Sequence, residues 1–184
     1  MCVIKHVHRE IVFETRDGVQ TIMDTFHSLL PSNWVESPII DCRATLLNLE
    51  ERLRDRDSIR RVFFHSGILK DGMINGDMSD IDCYNLFVTN IEKVVCGDRQ
   101  YRAVSNIDLV FFPVIQDRHF YLICFDLKVG KVELLDNMID RLPFEEKYND
   151  YLYKLIPWMI IQPFSATELE NIVSTWISEY LSKP

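Results

Sequence analysis

The sequence predicts an α+β domain: a small mixed sheet with a central antiparallel hairpin, flanked by helices. Three stretches carry that reading. "HFYLICFDLKVGKVELLD" holds two apolar runs separated by a Lys/Gly turn, the pattern of a hairpin. "SPIIDCRATLLNLEERL" places a proline in a first helical turn, ahead of apolar residues at helical spacing. "SATELENIVSTWISEYLSKP" opens with a Thr167/Glu170 capping-box pair and then repeats apolar residues with a helical period.

Taken in order, "EIVFETRDGVQTIM" predicts two strands around an Asp-Gly turn. After a polar cap region and Pro38, residues Ile39, Arg43, Leu46, Leu47 and Leu53 predict a helix with one buried stripe. Its alternating Arg and Asp/Glu end predicts a solvated helical face. "FFHSGILKDGMINGDMSDIDCYNLFVTNIEKVV" predicts a turn-rich loop followed by a helix. "IDLVFFPVI" predicts a buried strand that ends at Pro113 or just after it. The hairpin follows, then a helix in "LPFEEKYNDYLYKLIPWMII" that Pro157 kinks or ends. In the tail, Leu169, Ile172, Val173, Trp176, Ile177, Tyr180 and Leu181 form one apolar stripe, to be covered by this chain or by a partner.

The 184 residues suit a single domain, 1–184, with no internal repeat or linker. A hydrophobic share of 47% argues against disorder. A net charge of -8 argues against nucleic acid as a partner. No apolar run approaches the ~20 residues that span a bilayer, so no membrane association is expected. The five cysteines are scattered and no secretory leader is visible, which points to an intracellular protein of cytoplasm or nucleus. The basic N-terminus suggests a mitochondrial address only weakly, since Glu10, Glu14 and Asp17 follow it.

Two groups of residues invite a chemical reading. Asp71, Asn75, Gly76, Asp77, Ser79 and Asp82 resemble an EF-hand loop, but Met73 stands at a ligand position and the last acid is not Glu. An acidic turn is the better account, so no metal and no cofactor is expected. At the hairpin, His119 opens the first strand and Asp136 closes the second. Cross-strand neighbours lie ~5 Å apart at Cβ. A carboxylate there can fix the imidazole tautomer and stabilise the imidazolium, the base-and-orienter half of a triad. Two polar ends of an ordinary hairpin give the same pattern.

The wording of "DLVFFPVIQDRHFYLICFDLKVGKVELLDN" resembles the ubiquitin-like-protein protease family, the SUMO-protease type of cysteine peptidase, and is similar above all to its plant, transposon-carried members. The family pattern is an apolar strand ending in Pro, His followed by Trp, a strand ending in Asp and a strand ending in Asp-Ser. "SLLPSNWVESPIIDCRATLLN" is similar to the family's opening Leu-Pro-x-x-Trp turn and first helix. The resemblance covers about residues 20 to 160 and leaves 161–184 as a divergent helical tail. It implies a cysteine-peptidase-like fold, with His119 as base and Asp136 as its orienter. Trp34 and Phe120 then fall on the aromatics that wall a narrow tunnel for a Gly-Gly tail. Phe120 replaces the usual Trp, and Asn137 the usual Ser.

The family pattern continues with a Gln and an Asp-Cys-Gly nucleophile segment. Here Gln162 is the only later glutamine, and no cysteine follows Cys124. Without a thiolate the imidazole has nothing to activate. Ser165, Ser174, Ser178 and Ser182 lie in no Gly-flanked elbow, and Cys124 has the opposite pleat parity to His119. The expectation is therefore a C-terminally truncated, catalytically incomplete domain. It would bind a protein, either a ubiquitin-like one or a second copy through the terminal helix. The alternative is a peptidase whose nucleophile comes out of order or from a partner chain.

Overall fold

The computed structural model describes residues 10–15, 18–55, 57–69, 73, 76, 78–97, 107–116, 119–137, 148 and 154–159. The Leu169–Leu181 stripe, Gln162 and most of the EF-hand-like loop lie outside the described residues. No helix among the described residues is long and apolar enough to cross a membrane.

The chain begins with the expected hairpin, β1 (Ile11–Glu14) and β2 (Gln20–Ile22), paired antiparallel. The Asp-Gly signal has a backbone cause: Gly18 sits at φ +87°, a conformation that costs a glycine little. A short helix, α1 (Met23–Phe26), leads through a 3-10 turn at His27–Leu29 into the loop 30–36. Helix α2 (Ser37–Glu51) then starts with Pro38 in its first turn, as the sequence requires, but Glu36 makes no side-chain cap.

Helix α2 departs from the expected stripe. Cys42, Ala44 and Glu51 are buried, whereas Leu46 and Leu49 are exposed and Leu53 lies beyond the helix. The helix packs through its small residues and its polar reach instead of through leucines. Cys42 Sγ lies 2.9 Å from Thr21 Oγ1, joining α2 to β2. Glu51, expected on a solvated face, is buried and accepts from Arg61 Nε at 2.8 Å. Glu51 is the exception in that charged end: Glu50, Arg52, Arg54 and Asp55 are exposed, as the charge pattern predicts.

Strand β3 (Arg61–Phe63) was not signalled by the sequence, because three residues are too short to show a period. Its outer edge is closed by α2. Asn48 donates to the Phe63 carbonyl at 2.8 Å and accepts from the Phe63 amide at 2.9 Å, standing in for a neighbouring strand. Beyond it, Ser66 N–H donates to Asp41 at 2.7 Å.

Helix α3 (Asp80–Gly97) follows the turn-rich segment. Ser79 and Asp82, two members of the EF-hand-like group, act as its cap: Ser79 Oγ accepts from the Asp82 amide and donates to the Asp82 carboxylate at 2.6 Å.

The main sheet has the order β3–β4–β5–β6, with β4 spanning Leu109–Gln116, β5 His119–Asp126 and β6 Lys131–Leu135. β3 runs parallel to β4, and the other pairs are antiparallel, so the sheet is mixed. β4 runs past Pro113 to Gln116, the later of the two ends the sequence allowed and one residue beyond "IDLVFFPVI". Phe64 N–H donates to Phe111 O, so by alternation the Pro113 nitrogen points to the β3 side beyond the last β3 bond. No ladder bond is lost there. The β5–β6 turn is closed by Asp126, which accepts from the amides of Lys128 and Val129 at 3.0 Å, and by Gly130 at φ +69°.

Val62, Phe112, Val114, Tyr121, Ile123 and Phe125 form the inner face of the sheet. Phe87 of α3 and Leu155, Trp158 and Met159 of the helical residues 154–159 cover it. The helical backbone runs through Pro157 to Met159, so Pro157 does not end it. Stacked and edge-on rings run through this core: Phe64 on Phe112 at 4.7 Å, Phe112 on Phe125 at 5.8 Å, Phe87 on Trp158 at 5.4 Å.

Candidate functional site

Register places the pair. Leu135 of β6 lies opposite Leu122 of β5, so Asp136 follows into the position beside Tyr121. Side chains alternate across a strand, which puts His119, Tyr121, Leu134 and Asp136 on one face of the sheet. His119 Nε2 lies 2.6 Å from Asp136 Oδ1, a charge-assisted length. The carboxylate is only 6% exposed and the imidazole 17%, so water competes weakly for the bond.

A third group, which the sequence did not single out, completes the arrangement. The Tyr148 hydroxyl donates to Asp136 Oδ2, leaving each carboxylate oxygen with its own donor. Tyr121 packs between the two donors, 6.4 Å from the His119 ring and 5.0 Å from the Tyr148 ring, and gives its hydroxyl to Gln116 at 3.3 Å. Gln116 is the cross-strand partner of His119. Nothing local marks Tyr148 in the sequence, since the contact joins residues separated by the stretch after β6.

The other two predicted site residues lie on the opposite face of β5. Trp34 and Phe120 line one open cleft of about 540 Å³, with Ile115, Val35, Ser28, Asn33 and Glu36. Trp34 is presented by a tight turn. Asn33 N–H donates to Leu30 O at 3.1 Å around Pro31 and Ser32, and Ser32 takes φ +71°, the left-handed position of a type II turn that favours glycine. Asn33 Nδ2 holds the turn by donating to His27 O at 2.8 Å, and Ser28 Oγ accepts from the Glu36 amide at 3.2 Å. Trp34 is left 70% exposed, and Phe26, Leu29 and Leu30 shortly before it in the chain are exposed as well.

The described thiols sit elsewhere. Cys83 donates to Met73 O within the core and Cys42 bonds Thr21. Cys124 is buried on the β5 face away from His119. Burial, with the Glu133 and Asp126 carboxylates, pushes its thiol up to about 11. No cluster of metal-ligating side chains occurs among the described residues.

No protein-family model and no curated protein matches the chain. Solved structures do. The C-terminal Ulp1 protease domain in complex with Smt3, the yeast ortholog of SUMO, superposes with a TM-score of 0.58 at 18% identity, covering 84% of this chain and 61% of that one. SUMO protease Ulp1 with its catalytic cysteine oxidized to a sulfinic acid gives 0.57 at 14% identity, covering 90% and 75%. The Ulp1-like SUMO protease catalytic domain of Chaetomium thermophilum gives 0.52 at 17%, covering 84% and 59%. The chain thus spans about three fifths of the first of these domains. At such identities the likeness concerns architecture, and the α+β fold described above is that of the Ulp1-type SUMO-protease catalytic domain.

Proposed function

We propose that this chain is a protein-binding module on a SUMO-protease-like fold, and that by itself it cuts no peptide bond. The observation that carries the reading is the separation of thiols from the imidazole. Three cysteines are buried away from it, with Cys42 tied to Thr21, Cys83 in the core and Cys124 across the sheet from His119. Residues 137–184 add no cysteine. An imidazole that none of Cys42, Cys83 and Cys124 reaches favours binding over acyl transfer as the use of the site.

The partner we favour is a ubiquitin-like protein whose narrow tail lies between Trp34 and Phe120. The exposed Trp34 ring and the Val35, Ile115 and Phe120 side chains lining the cleft support a partner there, and a solved Ulp1 domain of the same fold holds Smt3. The Leu169–Leu181 stripe is proposed as a second contact, for another protein or a second copy. Titration with SUMO- and ubiquitin-like proteins, followed calorimetrically, should give binding that Trp34→Ala weakens at least tenfold. Cleavage of a precursor, abolished by His119→Ala, would overturn the reading.

One observation favours a second reading. The His119–Asp136 bond is fully assembled at 2.6 Å, as a working base needs. If a partner chain supplies the nucleophile, a Gly-Gly vinyl probe will label a cysteine only when that partner is present. Absence of any adduct removes this alternative.

A further inference from the structure

We infer that Tyr148 is a positioning residue for His119, acting through Asp136. The inference rests on the reading of His119 and Asp136 as the centre of the site. A carboxylate held at one oxygen can still turn about its Cβ–Cγ bond and trade that donor for the other oxygen. Here the second oxygen is taken by the Tyr148 hydroxyl, so the plane of the carboxylate is fixed from both sides. With Asp136 ionised it offers only acceptors. Nε2 of His119 therefore carries the proton, and Nδ1 is left as the acceptor atom of the ring.

The setting supports a positioning role over simple packing. Tyr148 is 6% exposed, and its ring meets Tyr121, which in turn lies along His119. A buried phenol needs one partner for its hydroxyl, and any carbonyl would serve. This one reaches the carboxylate that orients the imidazole, across a gap of 12 residues in the chain. The sheet fixes His119 and Asp136 through β5 and β6, and Tyr148 reaches Asp136 from outside those strands.

The test is made on the full chain with no partner added, so its result is independent of whether peptides are bound or cut. The Nε2 proton of His119 should appear as a downfield nuclear magnetic resonance signal protected from exchange. Tyr148→Phe, which removes only the hydroxyl, should speed its exchange at least tenfold. Tyr121→Phe, which removes the neighbouring hydroxyl bonded to Gln116, should leave the rate within twofold. Unchanged protection in Tyr148→Phe overturns the inference and makes the tyrosine a packing residue. Where that variant does not fold, the unmodified protein decides: in half-deuterated water the Asp136 carboxyl carbon should show an isotope shift from the Tyr148 hydroxyl as well as one from His119. A single shift, from histidine alone, overturns it as well.

Discussion

Single residues set the behaviour of this chain at a few positions. Asp108 is one. Burial works against its ionisation, but Lys128 Nζ at 2.8 Å and the Arg60 amide at 2.7 Å outweigh it, so the carboxyl is held below its usual value. A lowered folded value stabilises the fold at every pH above the unfolded value, about 3.9. That contribution is lost as pH falls from there through the folded value. Urea midpoints measured from pH 6 down to 2 should therefore fall less steeply for Asp108→Asn than for the parent. Ser32 makes the opposite case, a residue at φ +71° where glycine has no steric penalty. Ser32→Gly trades a strain of ~1–2 kcal/mol for the extra flexibility of an unfolded glycine, ~0.5–1 kcal/mol. A net gain of about 0.5 kcal/mol in chemical denaturation is expected, with Trp34 still presented. Cys124 should resist iodoacetamide at pH 7.5 in the native protein and react once urea unfolds it, because burial holds it as a thiol.

Between elements, the polar reach of α2 is what closes the sheet. Asn48 satisfies both backbone groups of Phe63 that would otherwise form an open edge. Asn48→Leu keeps the volume but orphans those two groups, at about 1–3 kcal/mol each less what water recovers at this partly buried site. A loss of about 2 kcal/mol in a denaturant melt is expected, and hydrogen exchange of the Phe63 amide should rise with it. The Glu51–Arg61 pair joins the same two elements, and the carboxylate is the buried partner, 2% exposed against 32%. Both joints were out of reach of sequence reading, since a period of apolar residues reports what is buried and is silent on a polar side chain that crosses to another element. β5 and β6 were legible for the converse reason. Their apolar runs and the Asp126–Gly130 turn are local, and local chemistry sets the register that brings Asp136 to His119.

At the scale of the whole molecule, one sheet separates two features. The His119–Asp136–Tyr148 group lies on its inner face, continuous with the aromatic core, and the Trp34–Phe120 cleft lies on the other. Phe112 is fully buried and touches three other rings, Phe64, Phe87 and Phe125. Phe112→Ala should cost about 3–5 kcal/mol and disturb both features together, which tryptophan fluorescence and calorimetric melting would register. The sequence by itself determined the α+β class, the two hairpins, helix α2 with its Pro38 turn, and the His119/Asp136 and Trp34/Phe120 pairs as residues worth finding. The elements and the His119/Asp136 pair follow from spacing along a few neighbouring positions, and the Trp34/Phe120 pair from the family resemblance. Only the tertiary structure decided that Glu51 is buried, that Asn48 closes the β3 edge, that β4 continues past Pro113, and that Tyr148 takes the second oxygen of Asp136. Those contacts join residues far apart in the chain, and a buried polar group is specified by the partner that reaches it, which no local pattern records.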